Sequence, residues 1–323
     1  MRVALYSQTN MALGSNMTLS LVSDKPVEEI DIIFSSLWHY IYTFERSFSR
    51  FIPMSELSLF NRAAGLKTHI TPEFKLLLLA AQDMSVKTKG LYNPFILPAL
   101  QKSGYKKSAV PGYEHDSVDD FSRRRVGAID QLAIGDDWAL IPYDTALDMG
   151  GCGKGYLADE LRILLDNYHI TSYRLELGGD IVTVGTDESG DKWLIGIQDA
   201  ANLTGELSKM IECPVTPFAI ATSGTFRRKT QINSKDWHHI IDPLTLKPAL
   251  TDVRLVTVCA ESALVADVLA SCVVIVGSKK ASRFIQSLGA SRMLLQGDNE
   301  SGQFEKHFGT FVINEITTKA SRQ

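Results

Sequence analysis

One apolar segment of this chain carries two polar side chains that are costly to bury without a partner. In ESALVADVLASCVVIVG, residues 261–277, Asp267 and Ser271 stand four positions apart among small and apolar residues. A helix would bring both side chains onto one face, where the carboxylate needs a compensating charge. Mg²⁺ takes oxygen ligands and commonly keeps phosphate oxygens as well. The segment therefore predicts a magnesium site, and with it an enzyme that acts on phosphates.

The composition is that of a globular protein and argues against nucleic acid binding. The 323 residues are 45% hydrophobic and 22% charged, with a formal net charge of -4. A chain of this length is able to bury the core of one large domain or of two closely packed lobes. Its charge balance lacks the basic excess expected of a protein that binds nucleic acid.

The cysteines and the first residues predict a cytoplasmic protein without a membrane span. The four cysteines lie far apart with no CxxC pair, which argues against a zinc cluster or a disulfide framework and favours a reducing compartment. The first residues, MRVALYSQTNMALGSNMTLSLV, lack the apolar core of a signal peptide. The longest apolar run, near Val265 to Val276, is too short to span a membrane and contains Asp267.

Hydrophobic periodicity predicts two long helices in the first part of the chain. Residues 25–48 carry apolar side chains at helical spacing behind an acidic start. A second helix is indicated by Thr71 as N-cap, Pro72 at the first helical position and Gly90 after the last turn. Residues 101–125 become polar and charged, which predicts a surface excursion joining two halves.

After that excursion, short strand-like segments follow one another with few helices between them. The strands are indicated at WALIP, YRLELGGDIVTVG, KWLIGIQ, PFAIAT, WHHII and RLVTVCA, and the helices at GKGYLADELRILLDNY, ESALVADVLASCVVIV and SKKASRFIQSLG. Adjacent strands with few crossovers favour an α+β fold, with mostly antiparallel or mixed sheets, over a doubly wound parallel sheet. We expect a single domain over residues 1–323, with two intimately associated lobes at about 1–125 and 126–315 and a tail at 316–323.

A glycine-rich turn in ALDMGGCGKGYLADEL, residues 146–161, is a candidate phosphate site. It is predicted to join a strand to a helix, and backbone N–H groups at such a turn are able to bind an anion. A Walker motif is excluded, because Asp148 stands where its first Gly is required and Gly155 where Ser or Thr is required. A tight turn with a solvated Lys154 explains the glycines equally well.

Two further interruptions of apolar strands have both a functional and a purely structural explanation. Gly178 and Gly179, in the middle of one predicted strand, indicate either a closely approaching ligand or a β-bulge. Thr222, Ser223 and Gly224, at the end of another strand, are suited to hold a pyrophosphate or simply to form a turn.

His239 is the candidate general base. In the predicted strand of HHIIDP it shares a face with Ile241, while Asp242 faces the other way at the Pro243 turn. The pKa of histidine lies near neutrality, so beside a metal and phosphates this side chain is suited to take a proton from an attacking hydroxyl. An isolated histidine is nevertheless more often a core-edge side chain that is hydrogen-bonded to backbone.

Taken together, these segments resemble the ApbE family, the FAD:protein FMN transferases. The similarity covers nearly the whole chain, in family order and at family-like spacing. It is carried by LGSNMTLSL, FERSFSRF, SELSLFN, GLYNPF, LDMGGCGKGYLADEL, LELGGDI, WLIGIQDA, AIATSG, HHIIDP and ADVLAS. The resemblance implies Mg²⁺-dependent transfer of FMN from FAD to a Thr or Ser hydroxyl of a target flavoprotein, with release of AMP.

The resemblance also implies roles for individual residues. It assigns Mg²⁺ to the backbone carbonyl of Gly151, the carboxylate of Asp267 and the hydroxyl of Ser271. It makes Asp267 and His239 catalytic, with His239 activating the acceptor. The implied FAD contacts are Asp148, Lys154, Ile241, Asn93, Gly179, Thr222 and Ser223.

Several positions depart from the family pattern. Ser271 replaces the usual Thr, which keeps the hydroxyl but removes the methyl group that fixes its rotamer. Ala270 stands where some members add a second carboxylate, and Leu246 with Lys247 interrupts the usual TG, which predicts a reshaped turn. The remaining departures affect flavin contacts: Leu13 for Met, Phe51 for Tyr, and Asn93 with Phe95 for Asp and Thr.

Two other functions stay open on the sequence. The first is a Mg²⁺-dependent FAD pyrophosphatase, in which water replaces the acceptor hydroxyl and FMN and AMP accumulate. The second is a non-catalytic flavin-binding or flavin-delivery protein, which Asn93, Phe95 and Phe51 favour and the retained metal and base residues oppose. Covalent FMN on an acceptor, free FMN with AMP, or FAD bound without turnover distinguishes the three functions.

Overall fold

The structure is a computed structural model that describes residues 3–106, 119–201, 207–225, 230–232, 235–310 and 313–315. Its helices, in chain order, are α1 (Val27–Phe48), α2 (Glu56–Arg62), α3 (Pro72–Lys87), α4 (Leu97–Lys102), α5 (Gly153–Asn167), α6 (Ala263–Val276) and α7 (Ser278–Gln286). Its strands are β1 (Ala4–Ala12), β2 (Ser15–Ser23), β3 (Thr68–His69), β4 (Ala133–Ile134), β5 (Trp138–Leu140), β6 (Tyr173–Leu177), β7 (Asp180–Val184), β8 (Leu194–Gln198), β9 (Leu207–Glu212), β10 (Phe218–Gly224), β11 (Thr230–Ile232), β12 (Lys235–Trp237), β13 (Ile241–Asp242), β14 (Lys247–Pro248), β15 (Val253–Ala260), β16 (Arg292–Asn299), β17 (Gly302–Phe308) and β18 (Ile313–Glu315).

An eight-stranded sheet in the order β1-β2-β6-β7-β10-β15-β16-β17 forms the centre of the fold. Every neighbouring pair in it is antiparallel. Two three-stranded sheets, β18-β9-β8 and β3-β5-β4, and two hairpins, β11-β12 and β13-β14, complete the described strands. The α+β class and the antiparallel character predicted from the sequence are confirmed.

The helices predicted from periodicity are found where the sequence places them. The region 25–48 contains α1, whose buried residues include Ile30, Leu37 and Ile41. The hydroxyl of Thr71 caps α3 by accepting a hydrogen bond from the N–H of Phe74 at 3.2 Å. Glycine-rich and apolar segments later in the chain form α5 and α6, followed by α7. These predictions succeed because each depends on a local pattern.

Several local predictions are wrong. Gly178 and Gly179 do not lie inside one strand but form the turn between β6 and β7, with φ values of +67° and +109° that favour glycine. No strand leads directly into the glycine-rich turn, because β5 ends at Leu140 and residues 145–149 belong to no helix or strand. Thr222, Ser223 and Gly224 form no turn, since β10 continues through all three.

WHHII is not one strand either. The structure has β12 ending at Trp237 and β13 beginning at Ile241, with His239 at a bend between them. The ring of His238 contacts the carbonyl oxygen of Ala249 at 3.0 Å, across the hairpin. The expected alternation of side chains from His239 to Asp242 therefore does not apply, because this stretch is not a continuous strand.

The contact between α5 and α6 is close because of one glycine. A Cβ atom at Gly155 would lie 2.5 Å from the carbonyl oxygen of Ala263, the first residue of α6. Asp159 of α5 then accepts hydrogen bonds from the hydroxyl of Ser262 and from the N–H groups of Ala263 and Leu264, at 2.6–3.0 Å. These bonds satisfy N–H groups at the start of α6 and fix the two helices against each other.

The main core joins the early and the late parts of the chain. A single large cluster of buried apolar side chains draws on α1 and α3 as well as on α5, α6 and the central sheet. The division into lobes near residue 125 stays a prediction, and residues 107–118 of the excursion and the tail at 316–323 lie outside the described residues. Among the described residues, every helix is too short or too polar to cross a bilayer.

Candidate active site

A cavity of about 600 Å³ lies where the central sheet, α5, α6 and the end of α1 meet. It contains every residue to which the sequence gave a role, although those residues come from distant parts of the chain. These are Asn93, Asp148, Gly151, Lys154, Gly179, Thr222, Ser223, His239, Ile241, Asp267 and Ser271. Their convergence is observed; the role of each remains a prediction.

Asp267 is a buried acid of the cavity wall. It lies one helical turn before Ser271 on α6, and the residue is only 6% exposed. One of its carboxylate oxygens accepts a hydrogen bond from the N–H of Gly155 at 3.2 Å, which the close approach of α5 makes possible. Burial and, after it, the charge of nearby Asp180 raise the pKa of this carboxyl to about 7, against the opposing effects of Lys154 and of the Gly155 N–H.

Asp180 is a functional candidate that the sequence analysis missed. It follows the glycine turn between β6 and β7, its side chain is 3% exposed, and it forms an ion pair with Lys154 from the first turn of α5. The ion pair holds the Lys154 ammonium group at the cavity wall instead of in bulk solvent. The sequence does contain a signal for this residue: Asp180 stands directly after LGG at the start of an apolar segment, and a carboxylate buried there needs a partner.

Two hydroxyl pairs connect β10 to its neighbours. The Oγ atoms of Ser223 and Ser271 lie 3.1 Å apart, within hydrogen-bond distance. Thr222 forms a similar pair with Thr257 of β15 at 2.9 Å. Ser223, predicted as an FAD contact, thus lies directly beside the predicted metal ligand Ser271. The hydroxyl of Ser223 restricts the rotamer of Ser271, which lacks the methyl group that fixes a threonine.

The carboxylate of Asp148 organises the glycine-rich turn. One oxygen accepts the N–H of Gly150 at 2.6 Å, and the other pairs with the Nε of Arg50 at 2.5 Å. Both side chains of this ion pair are more than nine-tenths buried. Arg50 also donates from Nη2 to the carbonyl oxygen of Tyr105 at 3.1 Å. Sequence reasoning missed Arg50, because nothing local in FSRF indicates a buried partner far along the chain.

His239 and Asn93 lie in other parts of the cavity wall. His239 is half-buried, and its ring lies 6.3 Å from the ring of Tyr105, measured between centroids. The side chain of Asn93 accepts the N–H of Phe95 at 3.0 Å and donates to the carbonyl of Gly127 at 2.9 Å. Both ends of the Asn93 amide therefore have protein partners, which gives this residue a structural role besides any contact with a ligand.

The donor atoms near Asp267 are suited to a hard cation. The predicted set is a carboxylate, a hydroxyl and the backbone carbonyl of Gly151, and all three ligand atoms are oxygens, as Mg²⁺ prefers. The raised pKa of Asp267 indicates a buried carboxylate that a cation would stabilise. Within the described residues, no group of three or more His, Cys, Asp or Glu side chains is placed to hold a metal ion. An ion bound here would therefore complete its shell with water and substrate oxygens.

Comparison with known proteins gives one consistent result. The model of the ApbE family matches residues 13–295. An FAD:protein FMN transferase of Treponema pallidum is 27% identical over 303 residues, covering 88% of this chain and 82% of its own length. One from Haemophilus influenzae is 25% identical over 271 residues, covering 82% and 76%.

Solved structures show the same fold. The flavin transferase ApbE from Vibrio cholerae superposes with a TM-score of 0.79 at 22% identity and covers 94% of this chain and 97% of its own. The ApbE protein of Thermotoga maritima gives a TM-score of 0.78 at 24% identity, with coverage of 94% and 96%.

Proposed function

Since the chain belongs to the ApbE family, we propose that it is an FAD:protein FMN transferase that depends on Mg²⁺. In the proposed reaction, the oxygen of a Thr or Ser hydroxyl on a target flavoprotein attacks the phosphorus atom of the FMN half of FAD. The bond from that phosphorus to the bridging oxygen breaks, and the bridging oxygen leaves with AMP. The proton of the acceptor hydroxyl passes to His239.

The observation that carries this proposal is the composition of one cavity. It combines a buried oxygen-donor cluster around Asp267 with a half-buried histidine and with a glycine turn at a helix N-terminus. These are the groups that phosphoryl transfer requires: charge stabilisation at the phosphates, positioning, and a base for the nucleophile. The buried donors are suited to the pyrophosphate and the histidine to the acceptor.

Asp267, Ser271 and the carbonyl of Gly151 would hold the metal ion. When bound, Mg²⁺ would neutralise charge on the pyrophosphate and stabilise the leaving phosphate of AMP. Ser223 would orient the hydroxyl of Ser271 through the observed 3.1 Å contact. Asp180 would keep the ammonium group of Lys154 at the wall, where it is able to bind a phosphate oxygen.

The glycine turn would position the substrate. Asp148 fixes the N–H of Gly150, and through it the backbone that carries Gly151. Ile241 provides an apolar wall next to His239, and Thr222 is held in place by Thr257. His239 would accept the proton of the acceptor hydroxyl in its neutral form.

We also propose that the protein acts in the cytoplasm. Its four cysteines are free and buried, a state that agrees with a compartment in which disulfides do not form. Cell fractionation with an antibody against the chain tests this part of the proposal; recovery with the cell envelope or in the medium would contradict it.

The proposed function is tested by mass spectrometry. The protein is incubated with FAD, Mg²⁺ and a panel of purified candidate flavoproteins, which are then denatured and weighed. We expect a covalent FMN adduct on a Thr or Ser residue and one AMP per adduct, both abolished by EDTA. Free FMN and AMP without an adduct would instead identify a pyrophosphatase, and FAD bound without cleavage would identify a flavin carrier.

A further inference from the structure

Three leucines are exposed on one short hairpin beside the cavity. Leu244 is 85% exposed, Leu246 is 42% exposed and Leu250 is fully exposed. They belong to residues 240–250, which comprise β13, β14 and the turn between them and which we call the leucine hairpin. Single exposed leucines are ordinary, whereas three on one hairpin next to a binding cavity indicate an interaction surface.

The hairpin brings Leu250 next to the candidate base. Its strands pair antiparallel, and beyond them the N–H of Ala249 donates to the carbonyl oxygen of Ile240 at 3.0 Å. His239 directly precedes Ile240 and Leu250 directly follows Ala249, so both residues lie at the same end of the hairpin. An acceptor whose hydroxyl reaches His239 from solvent therefore passes close to Leu250.

The turn of the hairpin is built to present its side chains in a fixed conformation. Leu246 has a φ of +57°, in the left-handed region that favours glycine, and a leucine there is strained. Asp242 holds the turn, because its carbonyl accepts the N–H of Leu246 and its carboxylate accepts the N–H of Leu244, both at 2.8 Å. Strain at an exposed apolar residue beside a site indicates a functional use of that residue.

None of the three leucines lines the cavity, whereas Ile241 and Pro243 of the same hairpin do. A dinucleotide bound in the cavity would therefore leave the leucines uncovered. Only the second substrate, a protein whose hydroxyl must approach His239, needs the surface that they form. Three exposed leucines on a hairpin whose Ile241 and Pro243 line the cavity indicate a partner segment with apolar side chains near its reactive hydroxyl.

We propose that the leucine hairpin is the docking surface for the acceptor flavoprotein and binds apolar side chains that flank the Thr or Ser to be modified. This inference rests on the proposed function, since it names the surface by which the second substrate is recognised. It makes Leu244, Leu246 and Leu250 determinants of acceptor affinity without a part in FAD cleavage.

The test compares Leu244→Asn and Leu250→Asn with two matched controls, Leu66→Asn and Leu76→Asn, which alter exposed leucines away from the cavity. The acceptor is the flavoprotein that the wild-type protein labels fastest with FMN. We expect each hairpin variant to raise the KM for that acceptor by about tenfold, as the loss of one buried leucine contact predicts. The FAD affinity of the hairpin variants and the KM values of the controls should stay within about twofold of wild type.

Leu246→Gly gives a second, independent measurement. Glycine adopts the left-handed conformation without strain, so the variant should unfold at the same temperature as wild type or higher. We nevertheless expect a higher KM for the acceptor, because the side chain is lost. An unaltered KM for the acceptor would contradict a docking role of Leu246, whatever the unfolding temperature.

The possible failures are distinguishable. Wild-type protein that labels no flavoprotein in the panel refutes the proposed function itself, and the docking proposal with it. Wild-type protein that labels an acceptor, with hairpin variants that label it equally well, refutes the docking proposal alone. Sedimentation analysis covers a third outcome: a wild-type dimer that Leu250→Asn dissociates, with unchanged transfer, would assign the hairpin to self-association and overturn the proposal.

Discussion

The two ends of the cavity are built in different ways. At the inner end, Asp267, Asp180 and Ser271 are held by partners on α5 and β10, and both acids are almost completely buried. At the outer end, His239 lies half-buried at a bend between two short strands, beside the exposed leucine hairpin. The inner end keeps charged groups in fixed positions, which favours electrostatic stabilisation of phosphates. The outer end offers an open apolar surface, which suits recognition of a second protein.

The largest effect is expected at the inner end, from Asp267→Asn. The variant keeps the shape of the side chain and removes the charge that would hold Mg²⁺, so AMP release from FAD should fall by about three orders of magnitude or more. Burial and the charge of Asp180 raise the pKa of the wild-type carboxyl to about 7. Above that pH, the metal-free wild type carries the cost of a buried negative charge, which Asn lacks, so Asp267→Asn should be at least as stable as wild type.

Thermal unfolding gives the control for this variant. Mg²⁺ should raise the unfolding temperature of wild type, since a ligand of the folded state stabilises it, and should have no effect on Asp267→Asn. Full activity of the variant at saturating Mg²⁺ would show that the inner end does not work through this carboxylate.

A smaller effect is expected from His239→Ala at the outer end. Loss of a general base should slow FMN transfer by about two to four orders of magnitude and leave FAD affinity nearly unchanged. The matched control is His238→Ala, since the His238 ring contacts the carbonyl oxygen of Ala249 across the hairpin and does not line the cavity. Equal rates of FMN transfer for His239→Ala and His238→Ala would show that His239 has a structural role only and that the outer end supplies no general base.

Arg50→Lys tests whether the two ends are connected. Arg50 pairs with Asp148 of the glycine turn and donates to the carbonyl of Tyr105, whose ring neighbours His239. Lysine keeps the charge but lacks the planar fork, so it is unable to make both contacts with the same geometry. We expect kcat/KM to fall by about tenfold, with a lower apparent affinity for Mg²⁺ and a higher KM for the acceptor together.

An effect on only one of these parameters would show that the ends act separately. Unchanged kinetics with a lower unfolding temperature would make the ion pair purely structural. Arg46→Lys is the matched control, because Arg46 lies in the last turn of α1, shortly before Arg50, and its side chain donates to the hydroxyl of Thr43.

The smallest effect is expected for Ser223→Ala. Removing its hydroxyl frees the rotamer of Ser271 and should weaken Mg²⁺ binding by about fivefold, as the loss of one hydrogen bond of ~1 kcal/mol predicts. Ser271→Thr should make the protein less sensitive to Ser223→Ala, because the added methyl group restricts the same rotamer. Calorimetric titration of Mg²⁺ into wild type, Ser223→Ala, Ser271→Thr and the double variant measures this coupling. Additive effects would show that Ser223 does not position Ser271.

The sequence predicts the geometry of the inner end of the cavity better than that of the outer end. Asp267 and Ser271 share a helix, so the helical period alone placed them on one face before the structure was known. The Asp180–Lys154 pair joins a hairpin to a helix, and the Arg50–Asp148 pair joins α1's end to the glycine turn. Such pairs depend on tertiary contacts that no local pattern reports.

At the outer end, even the secondary structure was misjudged. WHHII has the composition of a strand, yet His239 lies at a bend, because Ile240 pairs with Ala249 across a hairpin instead of continuing β12. Apolar content alone does not reveal where a chain leaves one strand and enters another. The family resemblance assigned His239 a catalytic role, which stays a prediction, and the structure shows that the residue lines the cavity.

The pairing of β2 with β6 sets a condition on how this protein is made. Leu21 of β2 pairs with Tyr173 of β6, so the first hairpin finds its neighbour only after more than half of the polypeptide has left the ribosome. Contacts between such distant segments slow folding, since a long loop must close first. The turn after β1 and the start of β2 line the cavity through Leu13, Gly14 and Ser15. A nascent chain therefore cannot form this cavity during early translation, and premature termination leaves the amino-terminal hairpin with an unpaired edge open to aggregation.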